Sequence, residues 1–95
     1  MAYIFKTDGT IVEVTPKNGS DFSLKELRKH TNSNYVEVVR LPKMPDKIFI
    51  IDEEGKIYGK KKNDIATAFM KGQYDFPFND YLVGDCLMIN NAELK

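Results

Sequence analysis

The chain has one cysteine, Cys86, and one histidine, His30, in 95 residues. A single cysteine excludes an internal disulfide, which fits a reducing compartment. One histidine and one cysteine, far apart, make no cluster with metal-ligand spacing. There is no glycine-rich phosphate loop. Neither charge sign is in excess: 14 basic residues balance 14 acidic ones, whereas a duplex-DNA binder usually carries a basic surplus. No apolar run approaches the roughly 18–20 residues of a membrane helix. Residues 1–6 also lack the basic stretch and apolar core of a signal peptide. These absences predict a cytoplasmic protein with no membrane span, no cofactor, no metal and no recognisable catalytic machinery.

What is present is the composition of one small globular domain, 42% hydrophobic and 29% charged, too apolar for a disordered chain. Residues 2–7 and 10–15 read as strands joined at Asp8-Gly9, a dipeptide suited to a hairpin whose two turn positions need positive φ. Asn18-Gly19-Ser20 reads as a turn. Ser23-Leu24-Lys25-Glu26 is a capping box, with Phe22 and Leu27 placed as a hydrophobic staple, and predicts a helix to Thr31. Strands follow at residues 35–41 and 47–52, the second turning at Glu53-Glu54-Gly55 into a short return strand at 56–59. A second helix runs from an Asn63 N-cap to Lys71, stopped by Gly72. The run from Tyr81 to Ile89 predicts a last strand in a central, buried position. The expected fold is α+β, a single small domain over residues 1–95. Its order is β-β-α-β-β-β-α-β, a mainly antiparallel sheet with two short helices on one side.

Two stretches invite a binding role. Lys60-Lys61-Lys62-Asn63 stands ahead of the second helix, whose free N–H groups favour anions. Asn63 and Thr67 would add neutral hydrogen bonds there, and Tyr58 or an aromatic from Tyr74 to Phe78 a planar surface for the rest of a phosphate-bearing ligand. The other reading is a solvated lysine run. Tyr74, Phe76 and Phe78 alternate with polar residues. Either some of these rings fold back over the core, or they form a surface for a base, a partner chain or a second copy of the protein. A two-fold homodimer would use this surface together with the long apolar last strand. Gly84-Asp85 breaks that strand: glycine there suggests a bulge, and Asp85 is an acceptor for a ligand amine or a nearby backbone group. His30 reads as a favourable charge at a helix end and Cys86 as a buried, inert thiol. Asp52, Glu53 and Glu54 read as a solvated hairpin tip.

Tyr35-Val36-Glu37-Val38-Val39, Asp52-Glu53-Glu54-Gly55-Lys56-Ile57-Tyr58-Gly59, Asn63 with Ala66-Thr67, and Tyr81-Leu82-Val83-Gly84-Asp85 together resemble the family named domain of unknown function 3846. This is a small domain of bacteriophages, plasmids and the bacteria that carry them. The chain departs from it at residues 73–80 and in the lysine run. The resemblance implies a setting of host takeover. Within that setting it implies counter-defence, either by sequestering a nucleotide-type immune signal or by blocking a host immune protein. A nucleic-acid-binding regulator, with the lysines on phosphates and aromatics stacking bases, is the alternative, beside a plain protein–protein interaction domain.

Overall fold

A computed structural model describes residues 2–73 and 80–94. Strands β1 (Ala2–Phe5) and β2 (Ile11–Val14) form the first hairpin. Helix α1 (Leu24–Thr31) leads to β3 (Val36–Arg40) and β4 (Lys47–Asp52), and helix α2 (Asp64–Lys71) leads to β5 (Cys86–Asn90). The five strands form one sheet in the order β2-β1-β5-β4-β3, antiparallel at every pairing. The α+β class is therefore as expected. Among the described residues, no helix is long and apolar enough to cross a membrane.

Strand β5 lies between β1 and β4, the central place its apolar run implies. Its backbone is paired on both sides, so it offers no edge to a second copy, and that motive for a homodimer is removed. Strands β1, β4 and β5 are apolar on both faces. Ala2, Ile4, Ile48, Ile50, Leu87 and Ile89 pack with Phe22 and Leu27 of the α1 region. Phe5, Phe49, Cys86 and Met88 pack with Ala66 and Met70 of α2. The helices thus cover opposite faces, not one side as expected. The uninterrupted apolar runs at residues 48–51 and 86–89 require this, because alternate side chains point to opposite faces and all of them must be buried. On the α2 face, Phe5, Phe49 and Phe69 meet edge to face at 5.2–5.6 Å, the geometry that aromatic quadrupoles favour.

Three local expectations change. Gly9 has φ of 90°, but Asp8 does not share it. Gly9 N–H donates to Lys6 O and Lys6 N–H to Thr10 O, so the hairpin closes through an ordinary turn followed by one left-handed glycine. Residues 56–59 do not return as a strand. Tyr58, Gly59 and Lys60 donate to Glu54, Lys56 and Gly55 carbonyls, so the segment spends its backbone bonds on its own turns and pairs with no neighbour. The last strand starts at Cys86, not Tyr81, because Gly84 adopts φ of 72° and breaks the extended run.

Helix α1 begins as read. Ser23 Oγ accepts from Glu26 N–H at 3.2 Å, and Glu26 Oε1 accepts from Ser23 N–H at 3.1 Å. Those N–H groups, that of Ser23 foremost and then that of Lys17, hold the Glu26 carboxyl below its ordinary range. Stability from this contact is therefore present above that range and lost as pH falls below it, through the lowered folded value. Phe22 and Leu27 are both buried in the α1-side core, where a staple would put them. Ser23→Ala is expected to cost about 1 kcal/mol, read as a lower urea midpoint with unchanged slope. An unchanged midpoint would refute the cap's role.

Candidate functional site

The lysine run does not act as a unit. Lys60 turns inward. Its Nζ lies 2.6 Å from Asp52 Oδ2 and donates to Asn32 O at 2.6 Å and Thr31 O at 3.2 Å. Those carbonyls end α1, where Asn32 is the left-handed C-cap. Lys60 thus supplies a cation to the negative end of the helix and ties it to the end of β4. Its stem passes Gly84 so closely that a Cβ on Gly84 would sit 2.9 Å from Lys60 Cδ; this glycine serves a close approach. Lys62 faces the other way, 3.8 Å from Asp64 Oδ1 and 5.7 Å from the Tyr81 ring centre. Lys61 remains exposed.

Helix α2 starts at Asn63 as expected, but Asn63 is fully buried. Its Oδ1 accepts from Ala66 N–H at 3.0 Å, and its Nδ2 donates to Phe5 O at 2.6 Å and Gly84 O at 2.8 Å. Thr67 is also buried, its Oγ1 accepting from Leu82 N–H at 2.9 Å. Both side chains are buried and bonded within the fold, and both N–H groups of the Asn63 amide are already given to backbone carbonyls, so Asn63 has no free donor for the anion cradle expected at this helix start. Asp85 Oδ1 accepts from Thr7 N–H at 3.1 Å, the backbone alternative for this residue. No protein donor reaches its other oxygen among the described residues.

The concave surface lies one helix away. A groove of about 520 Å³ beside α1 is lined by Lys25, Arg28 and Lys29 of the helix together with Asp52, Tyr58 and Lys60. The three α1 cations sit at i, i+3 and i+4, hence on one helix face. None has a carboxylate within salt-bridge distance among the described residues. Tyr58, which lines the same groove, is 66% exposed. A second hollow of about 200 Å³ adjoins the first, sharing Asn32 and Lys60 and adding Lys61, Thr7 and Asp85. Of the expected ligand residues, Tyr58 and Lys60 therefore line one groove, and Lys60, Lys61 and Asp85 line its extension. The sequence reading missed Lys25, Arg28 and Lys29, although the Lys-x-x-Arg-Lys spacing was available as a signal.

A third cleft, of about 310 Å³, opens on the α2 face of the sheet beside β3. It has a floor of Val39, Ile51, Leu82 and Val83 and a rim of Glu37, Glu53, Lys56 and Tyr81. The Lys56 ammonium pairs with Asp80 and lies 4.6 Å from the Tyr81 ring centre. Tyr74, Phe76 and Phe78 lie outside the described residues. Burial pushes the Cys86 thiol up to about 12, so it stays protonated at neutral pH. Partial burial pushes His30 below its ordinary value, which weakens the expected helix-end charge; its ring packs against Phe22 at 6.0 Å. Among the described residues no three His, Cys, Asp or Glu side chains form a metal-binding group. No family model, curated protein or solved structure matches the chain, so the functional reading rests on these residues.

Proposed function

We propose that this chain is a non-enzymatic bacteriophage or mobile-element protein that acts in counter-defence by sequestering a nucleotide-type signal in the α1 groove. One observation carries the reading. A protein of zero net charge places three cations without carboxylate partners among the described residues in a concave surface that an exposed tyrosine also lines. Cations with no internal partner are suited to phosphate, with Arg28 as a bidentate donor and the lysines as point charges. Tyr58 supplies the face on which a base stacks. A purely charged surface would bind any polyanion and fade with salt, whereas a stacking ring retains selectivity.

The test is calorimetric titration with a panel of nucleotides, comparing the protein with an Arg28→Ala/Lys29→Ala variant and with Tyr58→Ala. The double variant is expected to bind the preferred nucleotide at least about tenfold more weakly, since two charge-assisted contacts are lost. Its denaturation should be nearly unchanged because both positions are exposed. Tyr58→Ala should lose discrimination among bases. If no nucleotide binds at tens of micromolar protein, or if the double variant binds as the parent does, the reading fails. Capture of a host immune protein that is indifferent to these substitutions would instead favour the protein-target version of counter-defence.

A further inference from the structure

The α1 groove does not end at Lys60. The two hollows meet there, sharing Asn32 and Lys60, and the ammonium between them is already engaged by Asp52 and two carbonyls. Lys60 is thus a fixed ridge with little charge to offer a ligand. On each side of this ridge the same pair of features recurs. On the α1 side there are unpartnered cations and a group able to recognise a base by its face, Tyr58. On the far side there is Lys61, exposed and also without a carboxylate partner among the described residues, and a group able to recognise a base by its edge, Asp85. A carboxylate accepts and cannot donate. Asp85 gives one oxygen to Thr7 N–H and has no protein donor on the other among the described residues, so it suits a base that presents N–H groups, such as the amide and amine edge of guanine.

We propose that the ligand of this groove is a dinucleotide: two nucleotide units joined through phosphate, one base against Tyr58, the second base's N–H edge at Asp85, and the linkage crossing the Lys60 ridge. The inference rests on the reading of the α1 groove as a nucleotide site and adds the length and base chemistry of the ligand. The larger hollow, about 520 Å³, and the smaller, about 200 Å³, differ in the way this requires. The first admits a whole nucleotide, and the second admits one end of another. Asp85 is then a specificity-determining residue, because a base offering only acceptors at that edge leaves two sets of lone pairs opposed.

The experiment titrates the full chain with guanosine monophosphate, a guanine dinucleotide, the matching xanthine dinucleotide and a six-residue oligoguanylate, then repeats the series with Asp85→Asn. Asparagine keeps an oxygen for Thr7 N–H and adds an N–H donor, so the fold should persist, as a thermal melt will verify. The guanine dinucleotide is expected to bind at least tenfold more tightly than the monophosphate. Asp85→Asn should weaken it about tenfold and strengthen the xanthine dinucleotide. Equal affinity for one and two units, or an Asp85→Asn variant with unaltered preference, overturns the inference; if Arg28→Ala/Lys29→Ala still abolishes nucleotide binding, the groove reading survives. Affinity that keeps rising from the dinucleotide to the hexamer identifies a nucleic-acid strand and also overturns the inference. Absence of binding to every member overturns both.

Discussion

Asn63→Ala is expected to lower the free energy of unfolding by about 3–4 kcal/mol, in the absence of any ligand. The side chain is fully buried and makes three hydrogen bonds within the protein. Nδ2 donates to Phe5 O and Gly84 O at 2.6 and 2.8 Å, and Oδ1 accepts from Ala66 N–H at 3.0 Å. These partners belong to the end of β1, the turn ahead of β5 and the first turn of α2, three segments far apart in sequence. Truncation leaves two carbonyls and a helical N–H at a fully buried position without the amide that satisfied them, and each orphaned group costs about 1–3 kcal/mol. For a domain this small the loss is a large part of the whole reserve. Asn63→Asp should not restore stability: a carboxylate can still cap Ala66 N–H, but it brings acceptor oxygens against two carbonyls that require donors. Thr67→Val, which removes only the acceptor for Leu82 N–H, should cost about 1–2 kcal/mol. Urea unfolding of the three variants checks the ranking. A loss below about 1 kcal/mol for Asn63→Ala would show that these three hydrogen bonds contribute little to stability.

How far the sequence could be read depended on the range of each interaction. The capping box of Ser23 and Glu26 closes within four residues, and both of its hydrogen bonds form as expected. Strand β4 keeps its expected bounds of Lys47–Asp52, because a short apolar run between turn signals has few alternatives. Asn63 was legible as an N-cap, since Ala66 is three residues on. Its bonds to Phe5 and Gly84 were not, because they depend on β1 and residues 82–84 meeting at the start of α2. The lysine run shows the same limit. Read as a block, Lys60, Lys61 and Lys62 form one patch. In the fold Lys60 still belongs to the preceding turns, its N–H donating to Gly55 O, while Lys62 is bridged to Val83, so the three residues do not share one regular backbone and their side chains part. Lys60 therefore reaches α1 while Lys61 stays in solvent. The helical spacing of Lys25, Arg28 and Lys29 was local and readable. That they face a groove depended on Tyr58, whose segment was expected to be a strand and is a series of turns.

Lys60→Met is expected to cost about 3 kcal/mol, because it removes one partner of an ion pair whose other member stays buried. The side chain of Asp52 is only 4% exposed and that of Lys60 only 20%. Asp52 Oδ1 accepts from Glu54 N–H at 2.9 Å, but Oδ2 would face no cation once the ammonium is gone. Thr31 O and Asn32 O, the last carbonyls of α1, would lose their donor as well. Methionine keeps the length and apolar body of the stem that packs over Gly84, so the substitution isolates the charge from the packing. Asp52→Leu alone should be costly in the converse sense, leaving a partly buried ammonium on two carbonyls. The double variant removes both charges and should cost markedly less than the sum of the two single changes. That non-additivity, measured by urea unfolding of the four proteins, separates an ion pair that holds α1 to β4 from a lysine that merely rests there. Additive losses, or a Lys60→Met cost below about 1 kcal/mol, would show that the ammonium contributes little to stability. Lys60 would then be free to serve a ligand directly, and the ridge between the two hollows would have to be redrawn as part of the anion site.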